Sequence, residues 1–201
     1  MKRIVAIALA VVFGLTGLVA AEALAADAGA GRMALPKSST SGGMPLMEAL
    51  AARSANRNFA DAALSEQTLS NLLWATWGIN RPDGRRTAPT AMNKQAVQVY
   101  AALENGVWLY DAAGNSLVLA LEGDTRAAFG GAPLTLLYAV PADDPFGGMH
   151  AGALYQNAGL FCASEGLANV VKRTGADALD GKLPLPKGYK VVIIQSIGYP
   201  R

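Results

Sequence analysis

Two arginines, Arg53 and Arg57, stand four positions apart in the 201-residue sequence, and Ser54 lies between them. On one helix face, guanidinium groups with this spacing can both donate charge-assisted hydrogen bonds to a single phosphate. The alternative is a solvated basic helix end, where the two cations face the carbonyl end of the helix dipole. The spacing alone leaves both interpretations open.

A second group of polar residues lies in the stretch 78–95, which has little apolar pattern and is predicted to be a long loop. Loops of this length in compact domains usually have a function. Amide side chains offer a donor and an acceptor side by side, which suits the polar edge of a planar heterocycle. The residues concerned are Arg85, Arg86, Thr87, Pro89, Thr90, Asn93 and Gln95.

The composition excludes several kinds of chemistry. The sequence has one cysteine and one histidine. These counts exclude an internal disulfide and a metal site of the multi-cysteine or two-histidine type. The histidine, His150, is expected to be a solvent-facing turn residue rather than a catalytic base. Cys162 lies in an apolar helical pattern, which favours a packing role over a reactive one. The net charge of +2 disfavours a nucleic-acid binder. We predict no metal site and no dedicated catalytic residue.

Residues 1–25 have the pattern of a secretory signal peptide. Two basic residues precede an uncharged apolar run over 4–20, and a small-residue triplet follows at 23–25. A permanent anchor is the alternative, because the run is at the lower edge of the length that spans a bilayer. The pattern predicts cleavage after Ala25 and a periplasmic or secreted protein with no stable membrane association.

The rest of the chain is predicted to be a flexible linker over 26–43 and one domain over 44–201. Helical and strand patterns mix in this domain without regular alternation, which indicates an α+β fold. Helices are predicted over 44–53, 64–77, 124–129 and 151–171, and strands over 97–103, 107–110, 117–121, 134–140 and 189–197. Ser65 can cap the second helix, and Asn105-Gly106 is typical of a hairpin turn.

Several segments resemble, in order, the FMN-dependent nitroreductase family, especially its small exported or SagB-like members. Residues 53–59 (RSANRNF) resemble the opening R-x-S-x-R-x-F motif. Residues 64–95 resemble the stretch L-s-x-L-L-W-A-x-x-G-x-N…R-T-x-P-S-x-x-N-x-Q, and this match is the most specific. Residues 123–140 are similar to the helix and strand that follow in the family. Residues 155–171 resemble its central dimer helix, and residues 189–200 resemble its closing strand with the G-Y-P end.

The resemblance implies a nitroreductase-like fold, with a central, mostly antiparallel sheet, flanking helices and a long central dimer helix. It also implies FMN held at a homodimer interface. Arg53 and Arg57 are expected at the FMN phosphate or the polar edge of the flavin, and Arg86 is expected near the phosphate with them. The 89–95 loop would line the isoalloxazine ring and the ribityl chain. Backbone groups around 165–171 would face the flavin from the other side. The cofactor-binding residues implied are Arg53, Ser54, Arg57, Pro89, Thr90, Asn93, Gln95, Glu165 and Gly166.

The resemblance implies an exported FMN-dependent oxidoreductase that works by ping-pong electron transfer with a small organic substrate. In such enzymes the flavin performs the redox step, and the protein supplies binding, orientation and tuning of the ring. Because nicotinamide cofactors are scarce outside the cytoplasm, the expected donor is a different reductant. The alternative is a non-catalytic flavin-binding or structural homodimer that has lost tight FMN binding. The polar loop residues favour the enzyme.

Overall fold

The computed structural model describes residues 31–201; the predicted signal peptide and the start of the predicted linker lie outside the described residues. Within them, seven strands form one antiparallel sheet in the order β1-β4-β3-β2-β5-β7-β6. The strands are β1 (Arg32–Ala34), β2 (Gln98–Leu103), β3 (Gly106–Asp111), β4 (Ser116–Glu122), β5 (Leu134–Pro141), β6 (Ala168–Lys172) and β7 (Tyr189–Gly198).

The α-helices of the described residues are α1 (Leu46–Ala52), α2 (Glu66–Trp77) and α3 (Gly147–Ser164). Two 3₁₀ helices span Ala91–Asn93 and Arg126–Phe129. Ser65 caps α2 as predicted, because its hydroxyl accepts a hydrogen bond from the Thr68 amide. The α+β, mostly antiparallel architecture is therefore confirmed, and no α-helix of the described residues is both long and apolar enough to cross a membrane.

Both faces of the sheet are covered, which explains the unbroken apolar run of β5. Leu136 and Tyr138 face a core that also contains Leu72 of α2 and Leu154 of α3. The alternate residue Leu137 faces a second core, which includes side chains from the connection between β6 and β7. A strand with two buried faces does not show the alternation of polar and apolar residues that marks a half-exposed strand.

The prediction of a helix over 151–171 is wrong at the C-terminal end. Helix α3 stops at Ser164, Gly166 adopts the left-handed φ of 66°, and the Leu167 amide donates to the carbonyl of Cys162 over 2.8 Å. This is the geometry of a helix C-cap. The following residues form β6 instead. Apolar residues continue across the boundary, so the hydrophobic pattern alone does not separate a buried helix from a buried strand.

The predicted linker contains structure that its composition does not indicate. Residues Arg32–Ala34 form β1, an edge strand paired with β4. The Arg32 guanidinium donates to Asp111 over 2.7 Å and to Ser116 over 2.6 Å, and Leu35 is buried. The compact unit thus runs from Arg32 to Arg201 rather than from residue 44. Long-range pairing with β4 fixes this segment, although its local sequence is rich in small residues.

Candidate cofactor-binding site

The two arginines of the opening motif do not share a helix face. Helix α1 ends at Ala52, and Arg53 leaves it with a non-helical ψ of 119°. The chain then runs beside β6, where the Asn56 amide donates to the carbonyl of Asn169 over 2.8 Å. The expectation of a helical i, i+4 pair is therefore wrong, because the helix stops before the motif begins.

Residues of this segment alternate between neighbouring clefts, as side chains do along an extended chain. Arg53 and Ala55 line a cleft of about 180 Å³, whereas Ser54 lines an adjoining cleft of about 210 Å³ together with Gly166. Arg57 lines a third cleft of about 390 Å³. The two guanidinium groups thus line different clefts, although one extended segment carries both arginines.

These arginines carry uncompensated positive charge. Within residues 31–201, neither Arg53 nor Arg57 forms an ion pair with a carboxylate. Burial, followed by repulsion from Arg57, lowers the pKa of Lys172, whose ammonium donates to the carbonyl of Phe129. Free guanidinium donors beside a second cation form an environment that suits a phosphate.

A buried polar network underlies the Arg53 cleft and fixes the orientation of its side chains. Because the carbonyl of Tyr155 can only accept, Gln195 must direct its Nε2 towards it, at 3.3 Å. The Gln195 Oε1 then accepts from the Tyr138 hydroxyl over 2.7 Å, and Nε2 also donates to Asn169 Oδ1 over 3.0 Å. The Asn169 Oδ1 is thereby occupied, which leaves its Nδ2 as a donor for the cleft.

The sequence pattern missed this network. Gln195 interrupts the apolar run of β7 and is completely buried, which is the signal of a buried amide with specific partners. Its partners come from β5, β6 and α3, and the sequence places them far from β7. The polar break in the apolar run of β7 could have identified Gln195, but not the cleft that it organises.

The loop 78–95 begins as a small hairpin. Ile79 and Arg86 form a β-bridge, and the Thr87 amide donates to the carbonyl of Gly78 over 2.9 Å. Arg86 stacks over the Trp77 ring at 4.8 Å and donates to the Trp77 carbonyl over 2.9 Å. The expectation that Arg86 joins the phosphate-binding arginines is wrong, because this guanidinium holds the loop to the end of α2.

Three of the predicted flavin-binding residues form one hydrogen-bonded turn. Gln95 is central: its amide donates to the Thr90 hydroxyl over 3.0 Å, and its Nε2 donates to Asn93 Oδ1 over 3.1 Å. Arg86 Nε in turn donates to Gln95 Oε1 over 2.9 Å. Pro89 and Asn93 are exposed and so remain accessible to a ligand.

Helix α3 contacts both the arginine segment and the polar loop. On the loop side, Asn157 donates to the carbonyl of Thr87 over 3.3 Å, and His150 accepts from the Ala91 amide over 2.8 Å. On the other side, Arg53 packs against Gly159, where an added Cβ would lie 3.7 Å from the arginine Cδ. One rigid element therefore positions the arginine segment and the polar loop.

The remaining predicted residues lie at the C-terminal end of α3. Glu165 and Gly166 are both exposed there, and Gly166 lies beside Ser54. His150, by contrast, is only 4% exposed, so the expectation of a solvent-facing histidine is wrong. Cys162 is buried as predicted, and burial raises its pKa to about 12. Within the described residues no group of three or more His, Cys, Asp or Glu side chains could hold a metal ion.

Comparisons with known proteins identify the family of the chain. The sequence profile of the Nitroreductase family matches residues 50–199. A protein from Ralstonia eutropha JMP134 assigned as a nitroreductase is 33% identical, with 85% of this chain and 90% of that chain covered and a TM-score of 0.79. No curated protein matches.

More distant solved structures share the fold. A nitroreductase with bound FMN from Bacteroides fragilis NCTC 9343 is 16% identical over 78% of this chain and 88% of that chain, with a TM-score of 0.56. Another with bound FMN, from Desulfitobacterium hafniense DCB-2, is 19% identical over 78% of this chain and 89% of that chain, with a TM-score of 0.54. On the profile match and the Ralstonia relative, the chain belongs to the nitroreductase family.

Proposed function

We propose that this chain is an FMN-dependent oxidoreductase that acts outside the cytoplasm as a homodimer. It exchanges electrons with a small organic molecule in a ping-pong cycle. The observation that carries the proposal is that α3 contacts both Arg53 and the polar turn of residues 90–95. Within residues 31–201, Arg53 and Arg57 also form no ion pair with a carboxylate. The FMN-bound relatives of the same fold support the choice of cofactor.

The donor set of the described site fits FMN. Arg53 and Arg57 offer guanidinium donors for the phosphate, and Asn169 offers an amide donor in the Arg53 cleft. The turn with Asn93 and Gln95 offers donors and acceptors for the heterocycle edge. Bound FMN would supply the redox chemistry, while these residues bind the cofactor, orient it and limit its access to water.

Exposed apolar side chains support the homodimer. Met92, Met47 and Met149 are 77%, 75% and 71% exposed, and Leu46, Leu50 and Phe146 are exposed as well. They lie on α1, on the polar loop and at the start of α3, next to the candidate residues. Clusters of large exposed apolar residues are typical of protein interfaces. A second copy covering them would also enclose the flavin site.

The signal-peptide pattern of residues 1–25 supports a location in the periplasm or outside the cell. In either place the reductant would differ from a nicotinamide nucleotide. A second candidate function is a flavin-binding or structural homodimer without turnover. Ala55 favours it, because this residue stands at the serine position of the opening motif and lines the Arg53 cleft with a methyl group instead of a hydroxyl.

Anaerobic transfer of electrons from the reduced holoprotein distinguishes the two candidates. Protein loaded with FMN is photoreduced and mixed with a quinone or a nitroarene, and the return of oxidised-flavin absorbance is followed. For an enzyme, we expect reoxidation to be faster than that of free reduced FMN and to saturate with acceptor concentration. Lys182→Ala, which removes an exposed cation far along the chain from the candidate residues, serves as the control and should retain the rate. Reoxidation no faster than that of free flavin would support the non-catalytic alternative.

A further inference from the structure

The turn at residues 91–95 contains an unusual concentration of left-handed backbone. Met92, Asn93 and Gln95 have φ of 53°, 52° and 50°. Residues with a Cβ rarely adopt this region, although Asn tolerates it better than Met or Gln. Such conformations persist where the surroundings determine them, and they cluster at ligand sites. Contacts outside the turn must therefore maintain its shape.

His150 provides one of these contacts from the core. Its Nε2 lies 2.8 Å from the amide nitrogen of Ala91, the first residue of the 3₁₀ helix Ala91–Asn93. Because the amide is a donor, Nε2 must accept, and the imidazole proton must lie on Nδ1. That nitrogen is 3.4 Å from Asp144 Oδ2, and both side chains are almost completely buried. The two atoms approach each other without hydrogen-bond geometry, and within the described residues neither has another hydrogen-bond partner.

The carboxylate of Asp144 is itself held in place. Its Oδ1 accepts from the Phe146 amide over 3.0 Å at the start of α3. Tyr189 of β7 also lies close enough for the charge of Asp144 to contribute, after burial, to a raised tyrosine pKa. Burying an imidazole beside a carboxylate is unfavourable unless both are satisfied, and an apolar residue would pack against the sheet without that penalty. The pair therefore indicates a role beyond packing.

We propose that His150, whose Nδ1–H faces the Asp144 carboxylate, is a positioning residue that maintains the left-handed turn and so orients Asn93 and Gln95 towards the flavin. The orientation towards flavin rests on the proposed function. The maintenance of the turn does not, and it can be measured without any cofactor.

Limited trypsin digestion of the native apoprotein measures the turn, because Lys94 is exposed within it. His150→Leu removes the acceptor and should raise the rate of cleavage after Lys94 about tenfold, whereas His150→Gln retains an acceptor of similar reach and should stay within about threefold of wild type. Ile194→Val, a buried change in the second core, controls for general destabilisation and should leave this cleavage unchanged.

Ala91→Pro tests the same hydrogen bond from the loop and leaves the core intact. Thr90 is extended, with φ of −135° and ψ of 150°, which is compatible with a following proline, and the first helical position tolerates one. We expect faster cleavage after Lys94 and no further increase when Ala91→Pro is combined with His150→Leu. Additive effects of the two substitutions would overturn the proposal.

The affinity for FMN, measured by quenching of flavin fluorescence, gives the second readout. We expect about tenfold weaker binding for His150→Leu and recovery to within about threefold for His150→Gln. Unchanged cleavage after Lys94 in His150→Leu, or an equal increase in Ile194→Val, would refute the inference itself. If wild type fails to bind FMN while His150→Leu still loosens the turn, the proposed function fails and the positioning role stands.

Discussion

Hydrogen bonds beneath the Arg53 cleft determine the orientation of the Asn169 side chain. The Tyr138 hydroxyl, the Gln195 amide and the Tyr155 carbonyl together direct its Nδ2 to the cleft that Arg53 lines. Local sequence cannot reveal this hydrogen-bond network, because each partner comes from a different strand or helix. The sequence motifs point only to backbone groups around 165–171, and the fold determines which end of the Asn169 amide faces the site.

Substitutions at Asn169 should affect FMN binding in a charge-dependent way. Asn169→Ala removes one donor and should weaken binding about fivefold, whereas Asn169→Asp places a carboxylate where phosphate is expected and should weaken it at least tenfold more. Fluorescence titration with FMN measures both. Asn105→Asp makes the same charge change at a hairpin and retains the oxygen that accepts from Trp108. Equal effects of Asn169→Asp and Asn105→Asp would contradict the placement of Asn169.

Cys162 should be unreactive in the folded protein. Burial raises its pKa to about 12, so the thiol remains protonated at pH 8 and has no access to reagent. Treatment with a chromogenic disulfide reagent at pH 8 should release no chromophore until denaturant is added, and then one equivalent per chain. Rapid reaction of the native protein would contradict a packing role.

The helices and strands were predictable to different extents. Helix α2 has a capping serine and a regular apolar spacing, so both its ends follow from the sequence. The boundary between α3 and β6 does not, because apolar residues continue through it, and β1 is determined by long-range pairing with β4. Similarly, Arg53 and Arg57 have helical spacing, but the helix stops before them.

The pairing of β1 predicts a weak dependence of stability on pH. Burial alone would raise the pKa of Asp111, but hydrogen bonds from Arg32 and the nearby backbone outweigh it and hold the pKa below its ordinary value. The resulting stabilisation is present above the pKa of the unfolded chain, about 4, and is lost as the pH falls through the folded value. Because both side chains are partly exposed, Arg32→Ala should lower the free energy of unfolding at pH 7 by only about 0.5 kcal/mol.

Chemical denaturation at pH 7 and at pH 3 measures this contribution. The difference between wild type and Arg32→Ala should shrink at the lower pH. Arg126→Ala, which breaks an exposed pair with Asp124 outside β1, gives a comparison. A difference between wild type and Arg32→Ala that grows as the pH falls would contradict the assignment.

In the molecule as a whole, exposed apolar residues lie beside both candidate ligand segments, towards the two ends of α3. Met47 on α1 and Met149 on α3 lie near the elements that carry Arg53 and the polar loop. An interface there would cover both. Assembly and cofactor binding are therefore expected to be linked, since each copy would restrict the other's flavin from solvent.

Charged substitutions in this region should dissociate the proposed homodimer. Met47→Glu combined with Met149→Glu places carboxylates in an apolar contact and should shift the protein to monomer at micromolar concentration, as measured by analytical ultracentrifugation. FMN affinity should fall with dissociation. Lys182→Glu changes an exposed charge elsewhere and should leave the assembly intact. A wild-type protein that sediments as a monomer would contradict the dimer.

We propose that Arg53 and Arg57 recognise the phosphate of the FMN that this chain binds. The most direct measurement compares apoprotein affinities for FMN and for riboflavin, which lacks the phosphate, in wild type and in the Arg53→Ala, Arg57→Ala double variant. Two charge-assisted contacts of about 1.5 kcal/mol each predict at least a hundredfold preference for FMN in wild type and a small preference in the double variant. Equal affinity of the wild type for the two flavins, or no binding of either, would contradict the account.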